Sequence, residues 1–213
     1  MEESPQRWDT GRVEAFSDGV LAIAITLLVL EISIEPDQYD HLARALVNEW
    51  PAYLAYVTSF FTVGSVWIAH HDVFARLKYV DPVLLRLNLV LLLAAAFLPF
   101  PTGVLSQSFE ASESAERAAV AFYGATALVI ELILRGMIRY AASRPELVEG
   151  AAPKLPRSER GWQATIGTAA YTAAILVGIF IFPRAAALLY LAIALRGVLV
   201  SGHEGRLSIR LFR

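Results

Sequence analysis

RVEAFSDGVLAIAITLLVLEISI (Arg12–Ile34) decides how the rest of the chain is read. It opens on charged and hydroxyl residues, runs without a charge from Gly19 to Leu30, and stops at Glu31. A charge-free helix of that length rises about 18 Å, whereas the hydrocarbon core of a bilayer is about 30 Å thick. As a membrane span it must carry Asp18, Glu31 or both at the edge of the apolar slab. Charges at that depth are costly and face protein or water rather than lipid. An apolar first helix that is not comfortably lipid-facing is a candidate wall of a pore.

Composition supports a membrane setting. The 213 residues are 56% hydrophobic and 18% charged, against about 45–50% and about 25% in ordinary soluble domains. Mean hydropathy is +0.52. A net charge of −2 gives no basic patch of the kind nucleic acid requires, so no nucleic-acid partner is expected. With no cysteine, a disulfide, a thiolate nucleophile and a Cys-ligated metal are all ruled out. Glu2, Glu3, Asp9, Glu14 and Asp18 make the leading segment unlike a cleaved signal peptide.

Six apolar segments are expected, making an all-α, polytopic membrane protein with a single domain over residues 1–213. The spans are 12–34, 50–74, 82–106, 115–141, 160–182 and 184–202. Trp50 and Tyr53 begin the second span, and Trp67, His70 and His71 end it, as suits a membrane interface. An amphipathic stretch at 39–49 precedes it. Asp81-Pro82 opens the third span, and Pro99 and Pro101 kink or end it. SESAE (Ser112–Glu116) offers a cap for the fourth. Residues 143–158, rich in Pro and Gly, read as a loop, and the basic tail 203–213 as disordered or interfacial, against anionic headgroups.

Lys and Arg set the orientation. One side collects Arg7, Arg12, Arg76, Lys78, Arg135, Arg139, Arg144, Lys154, Arg157, Arg160, Arg196, Arg206, Arg210 and Arg213. The other holds only Arg44, Arg117 and Arg184, among acidic residues. Both termini are therefore expected in the cytoplasm of a cell (inner) membrane protein. Arg86 lies inside the third span, near its basic end, and is expected to snorkel.

Helical periodicity of about 100° per residue sorts the first helix into faces. Val20, Ile23, Leu27, Leu30 and Ile34 form one stripe; Asp18, Ala22, Ile25 and Val29 form another. Asp18 and Leu27 point in opposite directions. Asp18 is thus expected to face its own subunit, and the Ile23/Leu27/Leu30 stripe to face lipid, another subunit or a pore axis. Gly19, Ala22 and Thr26 are small enough for close helix packing.

Arg12, Phe16, Ser17 and Asp18, in the pattern R-x-x-x-F-S-D followed by GVLAIAITLLVLEI, resemble the signature of the lysosomal/endosomal potassium channel family, transmembrane protein 175 type, in its shorter prokaryotic form. The resemblance implies a homotetramer with the first helix lining a central pore. It implies a constriction of apolar rings at Ile23, Leu27 and Leu30, and a structural or gating role for Arg12, Phe16, Ser17 and Asp18. No TVGYG carbonyl filter occurs in this chain. The implied function is a K⁺-over-Na⁺ leak channel whose only ligand is the permeant ion, with no cofactor and no enzymatic activity. A hydroxyl ring at Thr26 is an alternative filter, and a proton-coupled secondary transporter is the alternative function.

Trp67, His70, His71 and Asn88 form a possible cytoplasmic network. Adjacent histidines diverge on a helix, so no metal centre is expected. One of them is expected to partner Asp18 or Asn88, and an Asp18–His70 pair would titrate near neutrality. Glu131 and Arg135 are spaced for an intrahelical ion pair, with an intersubunit bridge as the alternative.

Overall fold

A computed structural model describes residues 7–148 and 163–209. The described residues are helical, without strands. The helices are α1 (Thr10–Leu27), α2 (Leu42–Asn48), α3 (Trp50–Phe74), α4 (Pro82–Phe97), α5 (Pro99–Ser108), α6 (Glu113–Ala142), α7 (Gln163–Phe180) and α8 (Pro183–Ile209). Four segments are long and apolar enough to cross a membrane: Thr10–Glu31, Trp50–Phe74, Pro82–Ser108 and Glu113–Ala142. Ile166–Phe180 of α7 is apolar and shorter.

Local sequence explains the boundaries. Asp9 accepts the Arg12 N–H and caps α1, and Asp81 accepts the Leu84 N–H ahead of Pro82 to cap α4. Ser112 accepts the Ala115 N–H and caps α6. Each side-chain oxygen satisfies an amide that the first helical turn leaves without a partner. The expected third span is two helices, α4 and α5, meeting at Leu98. Pro99 and Pro101 carry no N–H, so the hydrogen bonds they would return to the preceding turn are missing.

Three boundaries differ from expectation. The first helix does not reach Ile34: α1 ends at Leu27, tightens into a 3₁₀ turn over Leu28–Glu31, and Ile32 is extended. Pro36 holds Glu35 extended, because its ring disfavours helical backbone in the residue before it. The stretch 39–49 divides into a 3₁₀ turn, Pro36–His41, and α2. The last helix passes residue 202 and continues to Ile209. Residues 149–162 and 210–213, including most of the expected loop and the start of the expected fifth span, lie outside the described residues.

The bundle has two edges. α1 rests on α3 and α4, while α7 rests on α6 and α8. Between them, α3 packs on α5 and α8, and α6 on α4 and α5. Within a bilayer, lipid is as apolar as leucine, so close packing and interhelical hydrogen bonds hold helices together. Both are present at the centre. Ser59 and Thr102 hydroxyls meet at 2.7 Å, and Ser59 donates to Tyr123 Oη at 3.1 Å, joining α3, α5 and α6. Tyr190 of α8 donates to the Val120 carbonyl of α6 at 3.0 Å. Its ring lies against Gly124, and a Cβ there would collide with Tyr190 and Ile175.

One end is pinned by backbone. Trp8 and Val80 exchange N–H···O bonds of 2.9 and 3.0 Å, and Lys78 N–H reaches the Leu147 carbonyl at 2.8 Å. The N-terminal segment, the α3–α4 turn and the segment after α6 therefore share this end. At the other, Arg184 of α8 bridges to the buried Glu116 of α6 at 2.9 Å.

Candidate pore helix and its polar anchor

α1 is two-sided. Val13, Ser17, Leu21, Ala24 and Leu28 are buried against the bundle. Ile23, Leu27 and Leu30 are 60%, 42% and 69% exposed, and Phe16, Gly19 and Thr26 are exposed with them. Val20 was expected on the stripe but is half-buried and packs against the core. Ala22 and Val29, expected on the Asp18 face, are exposed instead. Each discrepancy rotates the outward face toward Phe16–Gly19–Ile23–Thr26–Leu30, because α3 and α4 both take residues from the Leu21 side. Ile34 drops out, since the helix ends before it. The Thr26 hydroxyl donates to the Ile23 carbonyl at 2.9 Å, so its proton is engaged by its own helix.

The buried side of α1 is fastened by three polar contacts. Trp67 Nε1 donates to Asp18 Oδ1 at 2.9 Å. One turn away, His71 Nδ1 lies 2.8 Å from Glu14 Oε1, and the Trp67 and His71 rings stack at 6.1 Å. α1 and α3 run antiparallel, so pairs four residues apart on each helix meet in register.

The third contact is buried. His70 Nε2 is 2.9 Å from Asn88 Oδ1, Asn88 Nδ2 donates to Ser17 Oγ at 2.9 Å, and Ser17 Oγ donates to the Val13 carbonyl at 2.8 Å. His70, Asn88 and Ser17 are each fully buried. An amide oxygen only accepts, so Nε2 carries the proton and the donors run one way: His70 to Asn88 to Ser17 to Val13. His70 stacks on Phe74 with centroids 4.2 Å apart. Its Nδ1 is buried without a hydrogen-bond partner among the described residues.

Of the two partners expected for a histidine here, Asp18 or Asn88, His70 takes Asn88, and Asp18 is met by Trp67 instead. A helix cannot aim adjacent positions 70 and 71 at one partner, and Trp67 occupies the Asp18 position. Trp67, His70, His71 and Asn88 do come together at the Ser17/Asp18 end of α1. Arg12 and Phe16 lie outside these three polar contacts. Both are exposed and, with Asn88, Leu85 and Leu89 of α4, line a cavity of about 520 Å³.

Two participants were not read from sequence. Glu14 lies four residues before Asp18, as His71 lies four after Trp67, and that matched spacing was the available signal. Glu31 turns its carboxylate onto Gly103 of α5, where a Cβ would displace it; nothing local marked that contact. Glu131 and Arg135 do pair within α6, at 2.8 Å, and the pair lies against Gly167 of α7. Among the described residues no cluster of His, Asp or Glu could hold a metal ion.

Four apolar segments long enough to cross a bilayer, packed with shorter helices around a polar-anchored α1, define a helical membrane protein. Comparison with known proteins gives the family. Residues 12–99 match the model of the endosomal/lysosomal potassium channel TMEM175. A potassium channel of Chamaesiphon minutus is 36% identical over 157 residues, covering 72% of this chain and 76% of that protein. A potassium channel of Streptomyces collinus is 42% identical over 130 residues, or 61% of this chain and 63% of that one. The endosomal/lysosomal proton channel TMEM175 of Homo sapiens is 42% identical over 97 residues, 41% of this chain but 19% of its own. The crystal structure of a lysosomal potassium-selective channel TMEM175 homolog from Chamaesiphon minutus superposes with a TM-score of 0.70 at 31% identity, over 90% of this chain and 97% of that one. The chain belongs to the TMEM175 family of ion channels.

Proposed function

We propose that this protein is a K⁺-permeable leak channel of the cell (inner) membrane. Four copies assemble with α1 innermost, and Ile23, Leu27 and Leu30 form apolar rings around the axis. The observation that carries the reading is the division of α1. Its Ser17/Asp18 side is hydrogen-bonded into its own bundle, while a stripe of large apolar residues, Ile23, Leu27 and Leu30, stays exposed. The naming of two bacterial relatives as potassium channels supports the same reading.

Six spans follow when α7 and α8 are counted with the four long apolar segments. The cytoplasmic end is the one pinned by Trp8–Val80 and Lys78–Leu147, where Arg7, Arg76, Lys78 and Arg144 collect. That charge bias supports a topology with both termini inside.

Apolar rings gate by dewetting. Rings wide enough to pass a nearly bare ion offer it no strong ligand for the water it sheds. K⁺ holds its water less tightly than Na⁺, so the barrier favours K⁺, with weaker discrimination than a carbonyl filter gives. Within the pore the permeant ion is the only ligand, and the side chains do no covalent chemistry.

The test is bi-ionic recording from the reconstituted protein. Ile23→Asn is expected to change conductance or the K⁺/Na⁺ reversal potential. Unchanged values would remove Ile23 from the constriction. Resolvable single-channel currents exceed the turnover of any carrier, so their absence beside a measurable, proton-driven flux would favour a secondary transporter.

A further inference from the structure

Between α6 and α7, on the side of the bundle away from α1, lies an open groove of about 720 Å³. Its lining is graded along the helices. Arg139, Arg135 and Leu132 of α6 stand successively deeper; antiparallel α7 meets the Glu131–Arg135 level at Gly167, so Thr168, Thr172 and Leu176 carry the lining on below it. Gly136, Ala169 and Ala173, with little or no side chain, leave room between the two helices. Leu132 and Leu176 are each about half exposed, so apolar side chains are presented to whatever fills the groove.

The charges are unequal. Glu131 Oε1 takes Arg135 Nε at 2.9 Å and Nη2 at 2.8 Å, which neutralises Arg135. Among the described lining residues, Arg139 is then the excess cation. α6 is 30 residues long, about 45 Å, and so overruns a hydrocarbon core of about 30 Å. Arg139, in its last turn, reaches headgroup level while Leu132 and Leu176 lie at acyl-chain level.

We propose that this groove binds an anionic phospholipid. Its phosphate sits at Arg139, and an acyl chain lies along Leu132, Ala173 and Leu176. The match is of polarity as well as charge: cationic at the membrane surface and apolar toward the midplane, as in a phospholipid. The inference rests on the chain lying in a bilayer and not on which ion it conducts.

Native mass spectrometry of the detergent-purified full chain, titrated with dioleoyl phosphatidylglycerol, dioleoyl phosphatidylcholine or inorganic phosphate, tests it. Phosphatidylglycerol should bind more tightly than phosphatidylcholine, and inorganic phosphate should not compete. Arg139→Gln should weaken phosphatidylglycerol about fivefold, the worth of one basic residue near an anionic surface, and Arg139→Lys should restore most of it. Ala173→Trp, which fills the groove without touching its charge, should also weaken binding. Arg76→Gln, a basic residue at the same end on α3, should leave it unchanged. Equal binding of the two lipids, competition by inorganic phosphate, or equal losses in Arg76→Gln and Arg139→Gln would overturn the proposal. So would a change of oligomeric state in Arg139→Gln or Ala173→Trp, because the groove would then be a contact between copies of this chain.

Discussion

Trp67 of α3 gives its indole N–H to the Asp18 carboxylate of α1 at 2.9 Å, on the face of α1 turned away from Ile23, Leu27 and Leu30. The bond sets the rotation of α1 in the bundle, and with it which apolar residues face outward. An interhelical hydrogen bond of this kind is worth about 0.6–2 kcal/mol in a membrane protein. Trp67→Phe and Asp18→Ala should each lower thermal stability by that order. The double variant should lose less than the sum, because both substitutions remove the same bond. Additive losses in detergent melts would show that the two residues act separately.

The buried relay from His70 through Asn88 to Ser17 should be more sensitive. Asn88→Leu leaves the His70 N–H without its acceptor in a site that excludes water, a cost of about 1–3 kcal/mol. Ser17→Ala in the Asn88→Leu background should then add little, since the partner of Ser17 has already gone. A melting-temperature series on the four combinations measures this coupling.

Gly124 should not tolerate a side chain. A Cβ there meets Tyr190 and Ile175, both held by packing, and overpacking of this kind costs about 1–3 kcal/mol. Gly64, in the middle of α3, has nothing within 4 Å of a built Cβ. Gly64→Ala should be neutral or stabilising by up to about 1 kcal/mol, the helix-propensity difference. Parallel thermal melts of the two variants separate a packing effect from a general effect of removing glycine.

Glu49 supplies a pH dependence outside the spans. Burial, then the Glu110 and Glu35 carboxylates, hold its carboxyl above the ordinary value of 4.5. The folded state therefore favours the proton more than the unfolded chain does. Stability should rise as pH falls through the folded value toward 4.5 and gain nothing further from this group below that. Glu49→Gln should be more stable than the native chain at neutral pH, by a margin that shrinks as pH falls and as salt screens the neighbouring carboxylates. A margin independent of pH would show that Glu49 acts through packing instead.

Much of the fold was legible because it depends on local chemistry. Trp50–Phe74 coincides with the expected second span, and Asp81 and Ser112 cap the helices their sequence context marks. Pro99 and Pro101 interrupt the third span, as residues without an N–H must. The R-x-x-x-F-S-D stretch was sufficient to place the chain in its family. The division of α1 into an Asp18 side and a Leu27 side also followed from periodicity, although the structure turns the outward face enough to bury Val20 and expose Ala22 and Val29.

Partner choice was legible only in part: the i,i+4 spacing gave Glu131–Arg135, and Asn88 was one of two partners open to a histidine. Ser17, Asp18, Trp67, His70, His71 and Asn88 could be named from sequence as polar residues that a membrane end must satisfy. Which of them meet depends on the register between α1, α3 and α4, and a one-residue shift on a helix turns a side chain by about 100°. That register joins Trp67 to Asp18 and His70 to Asn88, recruits Glu14, and leaves Arg12 and Phe16 outward. The α6–α7 groove has the same origin, since Arg139 and Leu176 share it only because two distant segments pack side by side. Sequence by itself determined that this chain builds apolar helices with charged ends. The tertiary structure decided what each helix face meets, because the free energy of a buried polar group is fixed by its partner and the partner lies elsewhere in the chain.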